Sequence, residues 1–293
     1  MITRLDVKVL AEVPRAVLAG FAQVMLQPSP LVGAAFVAGA FWNSYIIASF
    51  GVLGCFAGVL TAIILGYPKD ERHDGLYGFN GALVGLGMGY FYEASPLLAV
   101  LVVVGGAASS IVMHWMLCLN LRPLTFPFVV VTWLFMVLSW ATGGLGGAIG
   151  TAPDQLAISM LDALSRGVGQ VLFQESVVTG IVLFSAIFLR NWTQGIYALL
   201  ATALGLGIAY LAGFPVYAIN LGLFGYNAVL CGILFAGQTL RDFLSAVAAI
   251  GLSVVLVRLA HGLEVAALTF PFVLSSWLVL WVRGKITRKT VQV

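Results

Sequence analysis

The sequence predicts an all-α polytopic membrane protein built from two related halves. Hydrophobic residues make up 61% of the 293 positions and charged residues 9%, and the mean hydropathy is +1.06. A soluble domain carries about a quarter charged residues, which cover a surface that faces water. The recurrence of "GLYGFN" (75–80) as "GLFGYN" (222–227) predicts the two halves.

Apolar runs predict ten transmembrane helices, since about 17–25 residues are needed to cross a bilayer. The runs lie near 30–48, 51–66, 77–92, 97–117, 124–141, 177–189, 193–212, 218–237, 242–260 and 267–282. An amphipathic stretch before each set of five, at 13–27 and 159–173, predicts one re-entrant half-helix per half. With the N-terminus inside, the cytoplasmic side receives every Lys and Arg except Arg166 and Arg258. Both termini are therefore predicted to be cytoplasmic.

The internal repeat extends over most of the chain. At an offset of 147 the matched pairs are Gln23/Gln170, Phe79/Tyr226, Asn80/Asn227 and Leu83/Leu230. At an offset of 144, "LTFPFVVVTW" (124–133) matches "LTFPFVLSSW" (268–277). Five spans are an odd number, so the second copy must enter the membrane upside down. The sequence therefore predicts inverted-topology repeats, residues 1–145 and 146–293, which a Gly-rich outer linker (142–158) joins, with a pore at the repeat interface.

Three pairs of polar residues recur at predicted membrane depth. They are Gln23/Gln170, Asn80/Asn227 and Thr125/Thr269. Polar groups in hydrocarbon are costly unless they are satisfied, so hydrogen bonds between helices or helix caps are the structural alternative to a transport role. For the Asn pair we predict a structural role at the start of a broken helix. For the Thr pair a helix cap is the structural alternative.

Aromatic and Leu side chains accompany these polar pairs. Leu83 and Leu230 follow Phe79 and Tyr226 by four residues, so each shares a helical face with the ring. Together with Phe173, these side chains predict a narrow, flat-walled slot. Core packing is the alternative interpretation, and it is the usual role of such residues.

Several function classes receive no support from the sequence. A net charge of +3 without a basic cluster on a solvated face does not predict nucleic-acid binding. The three cysteines have no metal-ligand spacing, and no nucleotide-binding loop or nucleophile–base pair predicts a cofactor or catalysis. Ion coupling needs ionisable groups in the membrane. Glu175 alone lies near the repeated polar sites, and its first-half counterpart is Pro28.

The paired motifs resemble those of the urea transporter family of channel-like membrane proteins. The resemblance rests on "GFAQVML" with "GVGQVLF", on "YGFNGALVG" with "FGYNAVLCG", and on "LTFPF" twice. It implies a homotrimer in a bacterial inner membrane, with one pore per protomer that conducts urea passively. It also implies a selectivity filter made of Gln23 and Gln170 at the mouths, slots formed by Phe79 with Leu26 and by Tyr226 with Phe173, and a midpoint at Thr125, Thr269, Leu83 and Leu230.

The sequence departs from the family signature Leu-Pro-x-x-Thr-x-Pro-Phe. Arg122 occupies the Pro position of the first copy, and Val265–Ala266 replaces Leu-Pro in the second. Leu26 stands where an aromatic residue is expected. Two alternatives therefore stay open: a pore of the same fold for another small neutral solute, such as formamide, acetamide or ammonia, and an ion-coupled symporter that uses Glu175.

Overall fold

The computed structural model of the protein describes residues 12–143, 145–147 and 159–290. These residues form helices joined by short turns, with one isolated β-bridge between Tyr92 and Gly147 in the described part. The predictions made for Arg4, Lys8 and most of the linker 142–158 lie outside the described residues.

The chain divides into two compact units, of which the first comprises Met1–Ala152 together with Leu172–Gln174. Its helices are α1 (Val13–Gln23), α2 (Pro30–Asn43), α3 (Tyr45–Ile64), α4 (Lys69–His73), α5 (Phe79–Phe91), α6 (Pro96–Cys118) and α7 (Phe126–Thr142). Helix α5 is buried along nearly its whole length, from Phe79 to Met88. It is therefore a central helix of this unit.

The second unit comprises Pro153–Val171 and Glu175–Val293. Its helices are α8 (Met160–Gly169), a 3₁₀ turn (Gln170–Leu172, of which Leu172 belongs to the first unit), α9 (Val177–Arg190), α10 (Trp192–Leu211), α11 (Val216–Asn220), α12 (Tyr226–Phe235), α13 (Leu240–Gly262) and α14 (Phe270–Thr290). Helix α12 is buried from Asn227 to Ile233, as its counterpart α5 is in the first unit.

The sequence repeat is also a repeat of local structure. Helices α2 and α3 begin 147 residues before α9 and α10, and α6 and α7 begin 144 residues before α13 and α14. Positive φ angles recur at matched non-glycine positions, at 59° for Leu26 and 57° for Phe173, and at 50° for Leu124 and 47° for Leu268. Both units therefore repeat one design, while their opposite orientation in the membrane stays a prediction.

A polar cap and a glycine turn correct two of the predicted helix boundaries. The predicted break near residues 48–51 is wrong, because Ser44 is extended and accepts the N–H of Ile47 at 3.3 Å, which starts α3 there. The side chain of Asn191 caps the start of α10 in the same way. The predicted span 218–237 is also wrong, since a turn at Gly222, with φ of 77°, separates α11 from α12.

The helices are those of a polytopic membrane protein. Among the described residues, four helices are long and apolar enough to cross a bilayer: Tyr45–Ile64, Pro96–Cys118, Trp192–Leu211 and Leu240–Gly262. Met160–Leu172 and Val177–Arg190 together meet the same criterion but are bent by 76°, which is typical of a broken span or a re-entrant loop. The remaining predicted crossings correspond to shorter apolar helices, so the number ten stays a prediction.

Helices α1 and α8 correspond to the two predicted half-helices, and we use that term for them below. Glycines permit a close approach between each of them and the helix that follows it. A Cβ atom at Gly180 of α9 would overlap the carbonyl oxygen of Ser165 in α8, and one at Gly33 of α2 would overlap the carbonyl oxygen of Leu18 in α1. Small residues at such contacts let helix backbones pack closely where lipid supplies no hydrophobic driving force. The half-helices are thus held by backbone contact at the same position in each unit.

We expect Gly180→Ala to destabilise the protein by about 1–3 kcal/mol, because the added methyl group has no space. Gly207 of α10 is the matched control, since a Cβ there would meet nothing within 4 Å. Gly207→Ala should leave stability unchanged or raise it by up to about 1 kcal/mol through helix propensity. Thermal unfolding of both variants in detergent measures the difference, and equal effects would contradict the close packing.

Candidate functional site

In the first unit, a side chain from α5 caps the start of α7. The Nδ2 atom of Asn80 donates to the carbonyl oxygen of Leu124 at 3.4 Å, and its Oδ1 atom accepts the backbone N–H of Phe128 at 3.1 Å. Leu124 has a left-handed backbone, and Pro127 has no N–H, so the helix start cannot satisfy itself locally. We call this pair of bonds the asparagine clamp.

The second unit contains the same clamp. Asn227 Nδ2 donates to the carbonyl oxygen of Leu268 at 3.1 Å, and Asn227 Oδ1 accepts the N–H of Phe272 at 2.9 Å. The Tyr226 hydroxyl donates to the same carbonyl oxygen at 2.7 Å, whereas its counterpart Phe79 has no hydroxyl. A structural role for the Asn pair is confirmed, but each asparagine caps the start of another helix rather than of its own. The first clamp lacks the hydroxyl bond, and its Asn80 Nδ2 also lies 3.8 Å from Met113 Sδ.

Helix capping is the structural alternative to a transport role for Thr125. Thr125 stands at the N-cap of α7, but its side chain makes no capping hydrogen bond, so that alternative is wrong for this residue. Thr125 and Thr269 are 3% and 2% exposed, and each lies inside the turn that its clamp holds. The asparagine therefore holds the turn in which the threonine lies.

The half-helices end in turns that place bulky residues at left-handed backbone angles. Leu26 follows α1 at a position where glycine is preferred, with Gln27 N–H bonded to the carbonyl oxygen of Ala22 at 3.1 Å. Phe173 occupies the equivalent place after α8, with φ of 57°. A left-handed conformation costs a non-glycine residue about 1–2 kcal/mol. Such strain concentrates at functional sites, which supports a role for both side chains.

Gln23 and Gln170 lie at the ends of these half-helices. Gln23 is the last residue of α1 and is half-buried, and Gln170 begins the 3₁₀ turn after α8 and is 5% exposed. Within the described residues, Gln170 Nε2 has no hydrogen-bond partner. A buried amide donor without a partner is costly, so this group suits a site that a polar solute or water occupies.

The predicted slot residues are buried within their own units. Phe79 and Leu83 of α5 and Leu230 of α12 are buried, while Tyr226 is half-buried. The ring of Phe173 belongs to the first unit and lies 5.6 Å from Tyr90, 5.9 Å from Phe91 and 6.1 Å from Phe128, measured between ring centroids. The pairing of Phe79 with Leu26 and of Tyr226 with Phe173 stays a prediction.

The comparisons with known proteins assign the family. The sequence model of the urea transporter family matches residues 14–284. This protein belongs to the urea transporter family. The chain is 27% identical over 301 residues to urea transporter 1 of Ovis aries and to that of Capra hircus, which covers 92% of this chain and 77% of each relative. Urea transporter 1 of Mus musculus is 27% identical over 246 residues, or 76% of this chain and 62% of that protein.

The family match covers all the predicted site residues, and it describes a transporter rather than an enzyme. The relatives named above are mammalian, so the predicted bacterial inner membrane stays a prediction.

One pair of buried glutamines in this urea transporter was missed at the sequence level. Gln174 is fully buried, its Nε2 atom donates to the carbonyl oxygen of Leu172 at 2.8 Å, and its Oε1 atom accepts Asn43 Nδ2 at 2.8 Å. Gln27 is also buried and donates to the carbonyl oxygen of Met25 at 3.2 Å. The offset of 147 that relates these two residues would have found them. They brace the turns that carry Leu26 and Phe173.

We expect Asn80→Ala to destabilise the urea transporter by about 1–3 kcal/mol, because the N–H of Phe128 and the carbonyl of Leu124 lose a buried partner. Thr132→Val is the matched control, since Thr132 lies on α7, the helix that Asn80 caps, and its buried hydroxyl has no hydrogen-bond partner among the described residues. That control should be neutral or stabilising. Detergent-solubilised unfolding measures both, and a neutral Asn80→Ala would contradict the clamp.

Proposed function

We propose that the protein conducts urea passively across the membrane. The observation that carries the proposal is the buried amide of Gln170, whose Nε2 atom has no partner among the described residues, at the end of a half-helix inside apolar surroundings. An amide side chain both donates and accepts, as urea does. The family and the relatives named urea transporter 1 support the same substrate.

The proposed path contains uncharged polar groups and apolar walls in both units. It passes Gln23, Leu26, Phe79, Leu83, Thr125 and Phe173 of the first unit and Gln170, Tyr226, Leu230 and Thr269 of the second. Urea is flat and neutral, so an apolar slot admits its plane and rejects a hydrated ion, which would lose far more solvation free energy. Glutamine and threonine oxygens replace the water that the N–H groups of urea lose.

Weak binding at several places favours conduction. Each hydrogen bond that replaces one to water contributes a net of about 0.5–1.5 kcal/mol. A solute held this weakly at each step leaves as readily as it enters, which is the condition for flux. The clamped threonines and the strained turns hold these groups in place, so that little ordering is needed when urea arrives.

The scarcity of charge in the membrane supports uncoupled transport over a symporter. Helices Tyr45–Ile64, Pro96–Cys118 and Trp192–Leu211 contain no Asp, Glu, Lys or Arg. Glu175, the coupling group that a symporter would need, lies in the turn between Leu172 and Val177, outside these three helices. Arg166 holds the backbone of this turn, since it donates to the carbonyl oxygen of Glu175 at 3.0 Å.

The finer architecture belongs to the same proposal. We propose halves 1–145 and 146–293 of opposite orientation, ten crossings, cytoplasmic termini, a homotrimer with one pore per protomer, and the inner membrane as the location. The distribution of Lys and Arg supports the cytoplasmic termini. The repeated helix boundaries support the two halves.

A pore for another small neutral solute is the second candidate. Leu26 favours it, because an aliphatic side chain at a strained turn makes the first slot less flat than Phe173 makes the second. A panel of formamide, acetamide, ammonia and urea in one proteoliposome assay separates the two. Urea permeability well above that of the other amides supports the first proposal, and equal permeabilities support the second.

We expect Gln23→Leu combined with Gln170→Leu to lower urea permeability about tenfold, because urea loses a hydrogen bond at each end of its path. Gln238→Leu is the matched control, since Gln238 is exposed and outside the proposed path. Stopped-flow light scattering of proteoliposomes measures the rates. A double variant that conducts urea as fast as Gln238→Leu would contradict these roles.

A further inference from the structure

The second unit carries an apolar groove on its surface, with a volume of about 610 Å³, between α13 and α14. Its length is lined by Leu240, Leu244, Ala248, Leu252, Leu278 and Val282, and its polar end by Arg241 and Arg283. We call it the arginine groove. Leu240, Leu244 and Leu278 are exposed, α13 is long and apolar enough to cross a bilayer, and α14 is a shorter apolar helix. In a membrane these leucines would therefore face hydrocarbon, and the groove has room for part of an acyl chain.

The arginine end of the groove has an excess of positive charge. Arg241 donates to the carbonyl oxygen of Arg283 at 2.8 Å, and Arg283 donates to Asp242 Oδ1 at 2.9 Å. Asp242 Oδ2 also accepts the hydroxyl of Thr239 at 2.6 Å. The polar end therefore carries one carboxylate and two guanidinium groups, and the sequence continues with Lys285, Arg288 and Lys289.

The first unit contains a matched groove without charge. It lies between α6 and α7, has a volume of about 200 Å³, and is lined by residues that include Leu97, Leu101, Leu138 and Ser139. We call it the neutral groove. At the repeat offset of 144, Leu97 corresponds to Arg241 and Ser139 to Arg283. The helix pair therefore packs without arginines in one unit, whereas the other unit carries two. Arg283 pairs with Asp242 and lies over the ring of Phe235, at 5.9 Å from its centroid, so one carboxylate is left to balance both arginines.

We propose that the arginine groove binds an anionic phospholipid of the cytoplasmic leaflet, with one acyl chain along its leucines and the phosphate on Arg241 and Arg283. Guanidinium groups bind phosphate oxygens through paired hydrogen bonds. The distribution of Lys and Arg predicts that this end is cytoplasmic, where basic clusters next to a membrane helix attract anionic lipids. Charge complementarity thus selects a lipid over a second copy of the chain.

Native mass spectrometry of the full-length protein with added dioleoyl phosphatidylglycerol or dioleoyl phosphatidylcholine tests the proposal. Arg241→Leu with Arg283→Ser gives the groove the residues of the neutral groove. We expect this variant to bind phosphatidylglycerol about tenfold more weakly and phosphatidylcholine unchanged, since each basic residue attracts anionic lipid. Arg190→Leu, an exposed arginine of the same unit, is the control and should bind as the wild type does.

Ala248→Trp fills the apolar part of the groove and leaves both arginines in place. It therefore tests lipid binding by the arginine groove even if the double variant fails to fold. Loss of the phosphatidylglycerol adduct in this variant supports the proposal. Wild-type binding of phosphatidylglycerol by either folded variant overturns it. A change of oligomeric mass in Ala248→Trp with retained lipid would also overturn it and assign the groove to contact between copies.

Discussion

The structure depends on one constraint, that a broken helix inside an apolar region must satisfy its terminal backbone groups without water. The asparagine clamp meets this constraint by reaching from one helix to the start of another, at Leu124 and Phe128 in the first unit and at Leu268 and Phe272 in the second. Because the asparagine takes over the capping, the adjacent threonine is held in place without capping its own helix. A structural bond thereby holds the turn of a side chain that we propose to line the urea path.

The two units share one backbone arrangement, and they differ in side chains at matched positions. Tyr226 adds a hydroxyl bond that Phe79 lacks, and Phe173 supplies a ring where Leu26 supplies an aliphatic chain. The two surface grooves differ in the same way, by their arginines. The backbone turns, caps and close-packed glycines recur in both units, so they form the shared frame.

Much of the fold can be predicted from the sequence, because the internal repeat allows one half of the chain to be compared with the other. Matched residues at offsets of 147 and 144 predict the paired glutamines, asparagines and threonines, and apolar runs predict most of the helices. The break at Ser44 was missed because a single serine in an apolar run gives little signal beside a glycine such as Gly51. The hydrogen-bond partners of Asn80 and Asn227 could not be predicted from the sequence, since Asn80 bonds a backbone group more than forty residues away. Long-range bonds of this kind follow from packing rather than from local pattern.

The central claim is that uncharged amide and hydroxyl groups conduct urea down its gradient without coupling to an ion. Urea flux into proteoliposomes of the purified protein, with sodium and proton gradients imposed or collapsed by ionophores, tests it most directly. The account predicts that the rate follows the urea gradient alone and does not change when the ion gradients are removed. Accumulation of urea against its gradient, or a flux that stops when an ion gradient collapses, would contradict it.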